Sequence, residues 1–268
     1  MSAAEQNTEV IRYEVAAGVA TITIDNPLRR NVLDAASITG MRSALADAAA
    51  DDEVRVVVLT GSGNTFCAGA DLSGATSGDS ASFAGSGPRA LVGLLEDLLD
   101  HPKPTIARVQ GHVAGGGNGL VAACDLAIAA EGARFAFSEV RVGVAPAVIS
   151  VVCLAKLHPA DAHELLLTGE RVDAERVRSA GMINRVVPAS ALDAEIAALV
   201  DQLRLGGPQA LAATKQLLRK VPTMSRTEAF GWTADLSSQL FSSQEAQAGM
   251  TAFLSRTPPP WAPAPPAE

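Results

Sequence analysis

The chain has 268 residues, 48% hydrophobic and 19% charged, so it is long and apolar enough to bury a sizeable core. Aromatic residues make up only 4%, and 21 Lys+Arg against 29 Asp+Glu leave a formal net charge of −8. Those figures exclude the global charge and stacking surface of a nucleic-acid binder, while a local basic groove for one phosphorylated ligand remains open. Cys67, Cys124 and Cys153 stand far apart, with no C-x-x-C. They suggest neither a disulfide framework nor a zinc site, and the expected compartment is reducing. The N-terminal MSAAEQNTEV lacks basic and apolar signal regions, and no apolar run approaches the roughly 20 residues of a membrane span. The expectation is a soluble cytoplasmic protein with neither a nucleic-acid nor a membrane partner.

Val19–Ile24 alternates small and β-branched residues and predicts a strand that ends in the turn Asp25-Asn26-Pro27. Asp34 is placed to cap a helix whose apolar side carries Ile38, Met41 and Leu45. Val54–Leu59 reads as a strand buried on both faces. Residues 61–88 read as loop, and the Ser-, Gly- and Ala-rich part, 73–88, has the composition of a lid. A helix is expected over Arg89–Asp100, a strand over Pro104–Val109, a helix running into Cys124 and a strand over Asp125–Ala129. From about 146 the pattern is helical except for Met182–Val187, and 205–256 is helical throughout. The Pro-rich tail 257–268 is expected to be disordered or extended. Strands alternating with helices indicate an α/β domain with largely parallel strands.

Three segments could carry chemistry. Gly61–Leu72 follows directly on a strand, and Ala68-Gly69-Ala70 would bare its backbone donors to a ligand. A plain turn is the competing reading, and neither a P-loop nor a dinucleotide motif is present. Gly115-Gly116-Gly117 precedes a small-residue helix, whose free amides and dipole would stabilise a developing anion, although close helix packing explains the glycines equally well. Glu139 stands in apolar surroundings, either as the ion-pair partner of Arg141 or as an acid/base with a raised pKa.

Together these segments resemble the enoyl-CoA hydratase/isomerase (crotonase) family. The resemblance rests on Phe66-Cys-Ala-Gly-Ala-Asp-Leu72, Lys103-Pro-Thr-Ile-Ala-Arg-Val-Gln-Gly-His-Val-Ala-Gly-Gly-Gly117 and Cys124-Asp-Leu-Ala-Ile-Ala129. Leu167–Asp173, Ala180–Asn184 and Gln244–Leu254 extend it, in family order, over about residues 10–256. It implies a spiral of β-β-α repeats over 1–204, a helical trimerisation region over 205–256 and the tail 257–268. It further implies an acyl-CoA substrate, no separate cofactor or metal, and a homotrimer or dimer of trimers. By motif position the oxyanion hole falls on the amides of Ala70 and Gly116, and the carboxylate on Glu139. The CoA site falls on Arg29, Ala68, Ala70, Asp71 and Leu72, with Arg29 and Arg30 near the phosphates.

One departure bears on the reaction. Hydratases of the family typically use two glutamates, and the first position is Gly119 here. A single base suits a 3,2-enoyl-CoA isomerase. Ser138–Ser150, however, resembles the methylglutaconyl-CoA and isohexenylglutaconyl-CoA hydratase branch, which favours hydration of a branched or unusual enoyl-CoA. A non-catalytic acyl-CoA-binding member is the third reading, with retention of Glu139 as its discriminator. Among neighbouring residues, His112 is expected as a neutral packed histidine, Asp79 as a solvated loop charge and Cys67 as a small core residue. No G-x-S-x-G elbow supports a serine hydrolase.

Overall fold

The structure is a computed structural model that describes residues 10–71 and 87–263. Leu72, Asp79 and most of the stretch 73–88 lie outside the described residues, as does the end of the tail.

A hairpin opens the fold: β1 (Ile11–Ala16) pairs antiparallel with β2 (Val19–Ile24). Next comes α1 (Ala35–Ala50), capped by Asp34, whose side chain accepts from Ser37 N–H while the Ser37 hydroxyl accepts from Asp34 N–H. The chain then repeats one unit. β3 (Val56–Gly61), β4 (Thr65–Cys67) and α2 (Gly87–Asp100) make the first copy. β5 (Thr105–Val109), β6 (His112–Ala114) and α3 (Gly116–Ala123) make the second. β7 (Leu126–Ala130) and β8 (Arg134–Ala136) open a third, which continues through α4 (Ala147–Cys153) and α5 (Pro159–Thr168). β9 (Arg171–Asp173), α6 (Ala174–Ser179), β10 (Arg185–Val187) and α7 (Leu192–Arg204) complete the spiral. α8 (Pro208–Lys220), α9 (Arg226–Phe241) and α10 (Gln244–Ser255) follow.

Each repeat sends its first strand to one sheet and its second to another. The six-stranded sheet has the order β1-β2-β3-β5-β7-β10 and is parallel from β2 onward. The four-stranded sheet has the order β4-β6-β8-β9, parallel except for its last pair. β3 shows why its residues are so uniformly apolar. Val57 and Leu59 join the main core, while Val56 and Val58 pack with Ile106, Ile128 and the Ile196 side of α7.

The structure corrects the sequence reading in four places. β4 lies inside the stretch expected to be loop, and β9 interrupts the stretch expected to be helical. β1 forms ahead of the first expected strand, and the strand expected over 182–187 starts at Arg185. Strands of three residues are too short for a period of two to show in the sequence. The described part of the tail is docked: Trp261 Nε1 donates to Leu205 O at 2.9 Å, and Arg55 donates to Trp261 O at 2.9 Å. Among the described residues no helix is long and apolar enough to cross a membrane.

Candidate active site

Three of the four strands of the small sheet, β4, β6 and β8, end side by side, and each releases the chain into the same cavity of about 420 Å³. β4 leads into Ala68-Gly69-Ala70, β6 into Gly115-Gly116, and β8 into the 3-10 turn Ser138–Val142 that carries Glu139. Carboxyl ends of parallel strands are where α/β folds place ligands, because loops converge there and side chains do not fill the crevice.

Gly69 lets the first two loops touch. Its φ is +85°, and a Cβ there would lie 2.8 Å from Ala114 O and 3.2 Å from Gly116 N. Ala68 N–H donates to Arg30 O, Gly69 N–H to Cys67 Sγ and Asp71 N–H to Leu33 O. Among the described residues Ala70 N–H has no such acceptor. Gly116 is the first residue of α3, so its N–H has no partner within the helix. Among the described residues, then, two neighbouring backbone donors border the cavity without acceptors.

Glu139 faces them. Its Oε1 lies 3.5 Å from the position a Cβ on Gly115 would take, and its Oε2 is buried without a hydrogen-bond partner. Burial raises its pKa above the ordinary carboxylate value. The ion pair considered for Arg141 does not form, because Arg141 Nε donates instead to Thr168 O at 3.1 Å. This leaves an oxygen able to accept a proton or hold a water.

Asn118 is a site residue that the sequence did not single out. It is fully buried, and its Nδ2 donates to Gly115 O at 3.2 Å and to Ala136 O at 2.9 Å. It thus ties the turn before Gly116 to the strand that leads to Glu139. Its Oδ1 is left without a partner. Reversing the amide would aim Oδ1 at two carbonyl oxygens, so the orientation is set by the donors.

Arg29 reaches the loop of Ala70, although its guanidinium is engaged: it pairs with Asp34 at 3.2 Å and also with Asp71. Ala68, Ala70 and Asp71 line the cavity. His112 does not line it, and burial and nearby arginines lower its pKa, in keeping with a neutral packed histidine. Cys67 is buried and its thiol is pushed up to about 12, which keeps it protonated. Among the described residues no cluster of three or more His, Cys, Asp or Glu is placed to hold a metal ion.

Gly119 occupies a filled position. A Cβ there would lie 2.5 Å from Ile149 Cγ2 and 3.1 Å from Ile149 Cβ, so α4 closes against α3 where a longer side chain would stand.

Comparison with known proteins places this geometry. Residues 14–264 match the sequence profile of a family described as enoyl-CoA hydratase/isomerase. A carnitinyl-CoA dehydratase of Citrobacter koseri is 34% identical over 260 residues, covering 95% of this chain and 98% of that protein. The crystal structure of an enoyl-CoA hydratase from Shewanella pealeana superposes with a TM-score of 0.89 at 30% identity, covering 96% of this chain and 97% of that one. One from Mycobacterium smegmatis gives 0.88 at 32% identity, with 94% and 98% covered.

Proposed function

The chain belongs to the enoyl-CoA hydratase/isomerase family, and on that premise we propose that it adds water to a 2-enoyl-CoA thioester, or removes it, with Glu139 as its single base. The observation that carries this reading is the buried, unpartnered Glu139 Oε2 in one cavity with the amides of Ala70 and Gly116. The thioester oxygen accepts from both amides. Glu139 takes a proton from water as the hydroxyl bonds to C3, and the electrons of the double bond move onto the thioester oxygen. The amides hold that enolate, and collapse of its charge draws the proton from Glu139 to C2. Fixed backbone donors suit this step because they need no reorganisation when the charge appears. The same carboxylate gives back the proton it took, so no second acid is required.

A second reading, 3,2-isomerisation, is favoured by one observation: Ile149 fills the space at Gly119, and a lone base can carry a proton between C2 and C4 without water. Assaying crotonyl-CoA, 3-methylglutaconyl-CoA and a 3-enoyl-CoA side by side decides between them. The isomerase reading replaces hydration if only the 3-enoyl thioester reacts. Retention of turnover by Glu139→Gln rules out Glu139 as the base in both.

CoA is assigned to the Ala68–Asp71 backbone and the turn that bears Arg29, as part of the substrate rather than as a separate cofactor. In this reading Arg29 exchanges a carboxylate partner for a phosphate, so Arg29→Ala raises KM while kcat stays close to its starting value. The helices over 205–256 are assigned to assembly as a homotrimer or a pair of trimers. Phe230, Phe241 and Phe253, the last 83% exposed, supply apolar surface for it. Sedimentation velocity tests that assignment, and a monomer at micromolar concentration contradicts it.

A further inference from the structure

We propose that Ile149 is the specificity-determining residue of the cavity: lodged against Gly119, it closes one wall with hydrocarbon and restricts the acyl group to uncharged chains of limited size. This rests on the acyl-CoA reading above. Ile149 is 2% exposed and lies between two surfaces. On one side its Cγ2 is 2.5 Å from where a residue-119 Cβ would stand, with Leu95 Cδ1 at 3.6 Å from the same point. On the other it lines the cavity that holds Glu139. Gly119 lies three residues beyond Gly116, which is almost one helical turn, about 4.5 Å, along α3 from the proposed oxyanion donor. A wall set against Gly119 would therefore face carbons of the acyl group rather than the thioester.

The rest of the described lining supports the same class. Leu91, Val142, Val144 and Val148 are apolar, and the ionisable residues are Asp71, paired with Arg29, and Glu139. No Lys, Arg or His belongs to this lining, so the distal carboxylate of a glutaconyl group would lose water without gaining a cation. No aromatic ring among the described residues belongs to it either, so none of them offers a trimethylammonium head a cation–π face. The smallness of Gly119 is thus matched to Ile149: the pair replaces a polar side chain with an apolar wall.

The test measures kcat/KM for straight-chain 2-enoyl-CoAs of increasing length, for 3-methylglutaconyl-CoA and for a 2-enoyl-CoA that ends in trimethylammonium. It uses the wild type, Ile149→Val, Ile149→Ala, Gly119→Ala and the double variant Gly119→Ala/Ile149→Ala. In the wild type the charged thioesters should fall about 100-fold or more below crotonyl-CoA. Ile149→Ala should raise kcat/KM for the longest chains relative to crotonyl-CoA by about 10-fold or more, the range one methylene commands in an apolar pocket. Ile149→Val should move the same ratio part of the way, which keeps the test decisive should the alanine variant not fold. Gly119→Ala alone should lose soluble, active protein, and Ile149→Ala should restore it in the double variant. Preference for a charged thioester overturns the proposal, as does an unchanged length profile in a folded Ile149 variant or a harmless Gly119→Ala. Should the wild type turn over none of these thioesters, the hydration reading fails instead. Calorimetric binding of saturated neutral and charged acyl-CoAs to the same variants then decides the specificity by the same ratios.

Discussion

Val56, Val57, Val58 and Leu59 of the six-stranded sheet all point into packed hydrocarbon, two to each side. In the four-stranded sheet, β4, β6 and β8 are three residues each, and beyond them come Ala68–Ala70, Gly115–Gly116 and Ser138–Glu139. The large sheet buries area and the small one aims three loops at a common point. What the contrast teaches is that stability and chemistry are carried by alternate strands of the same repeat. Disturbing one sheet should therefore leave a different signature from disturbing the other.

The sharpest break is at the end of β8. Glu139→Gln removes the base while keeping shape, and kcat should fall by about 10²–10⁴ with acyl-CoA affinity nearly unchanged, read by steady-state kinetics and titration calorimetry. Ala70→Pro removes one amide donor at the end of β4 and should lower kcat by about 10²–10³. A loss of affinity with unchanged kcat would place Ala70 outside the oxyanion site. Leu59→Ala in β3 should do the reverse, costing about 2–5 kcal/mol of stability in denaturant titration while folded enzyme keeps its kcat. Asn118→Ala belongs to both signatures, because its amide joins Gly115 O to Ala136 O. It should cost about 1–3 kcal/mol of stability and also lower kcat, since both loops lose their common tie.

The smallest effect separates the roles of one residue. Burial raises the pKa of Glu139 in the folded chain above its value in the unfolded chain. Ionisation therefore costs the folded state more than the unfolded one. That destabilisation is absent where both states are protonated, below the ordinary glutamate pKa of about 4.3, and appears as pH rises through and above it. Glu139→Gln should accordingly melt higher than the wild type at neutral pH, and the gap should close as pH falls below that value. The acid limb of wild-type kcat should lie above the ordinary carboxylate range, because the ionised form is the base. An acid limb at the ordinary value would show that the site is wetter than its burial indicates.

The legibility of the sequence followed the same division. Val19–Ile24, Asp34 with its helix, and the strands around Val57 and Ile106 were visible because long strands and capped helices leave a repeating apolar pattern. The small sheet left none, so β4 read as loop and β9 as part of a helical stretch. The glycines and Glu139 stood out by composition, and their family order supplied what periodicity did not. Asn118 was not singled out and Ile149 stood only as one letter of Ser138–Ser150, since a buried amide and an isoleucine become informative only beside the groups they touch.

By itself the sequence determined the alternation of strands and helices, the scarcity of charge along the buried strands and the small residues that bare a backbone. Those are properties of each residue and its near neighbours along the chain. Only the tertiary structure decided that Gly69 lies against Gly116, that Glu139 keeps an unpartnered oxygen and that the room beside Gly119 belongs to Ile149. The reason is physical: a donor, a raised pKa and a filled space each depend on distance between segments. Those distances exist only once the strands of the small sheet are hydrogen-bonded side by side.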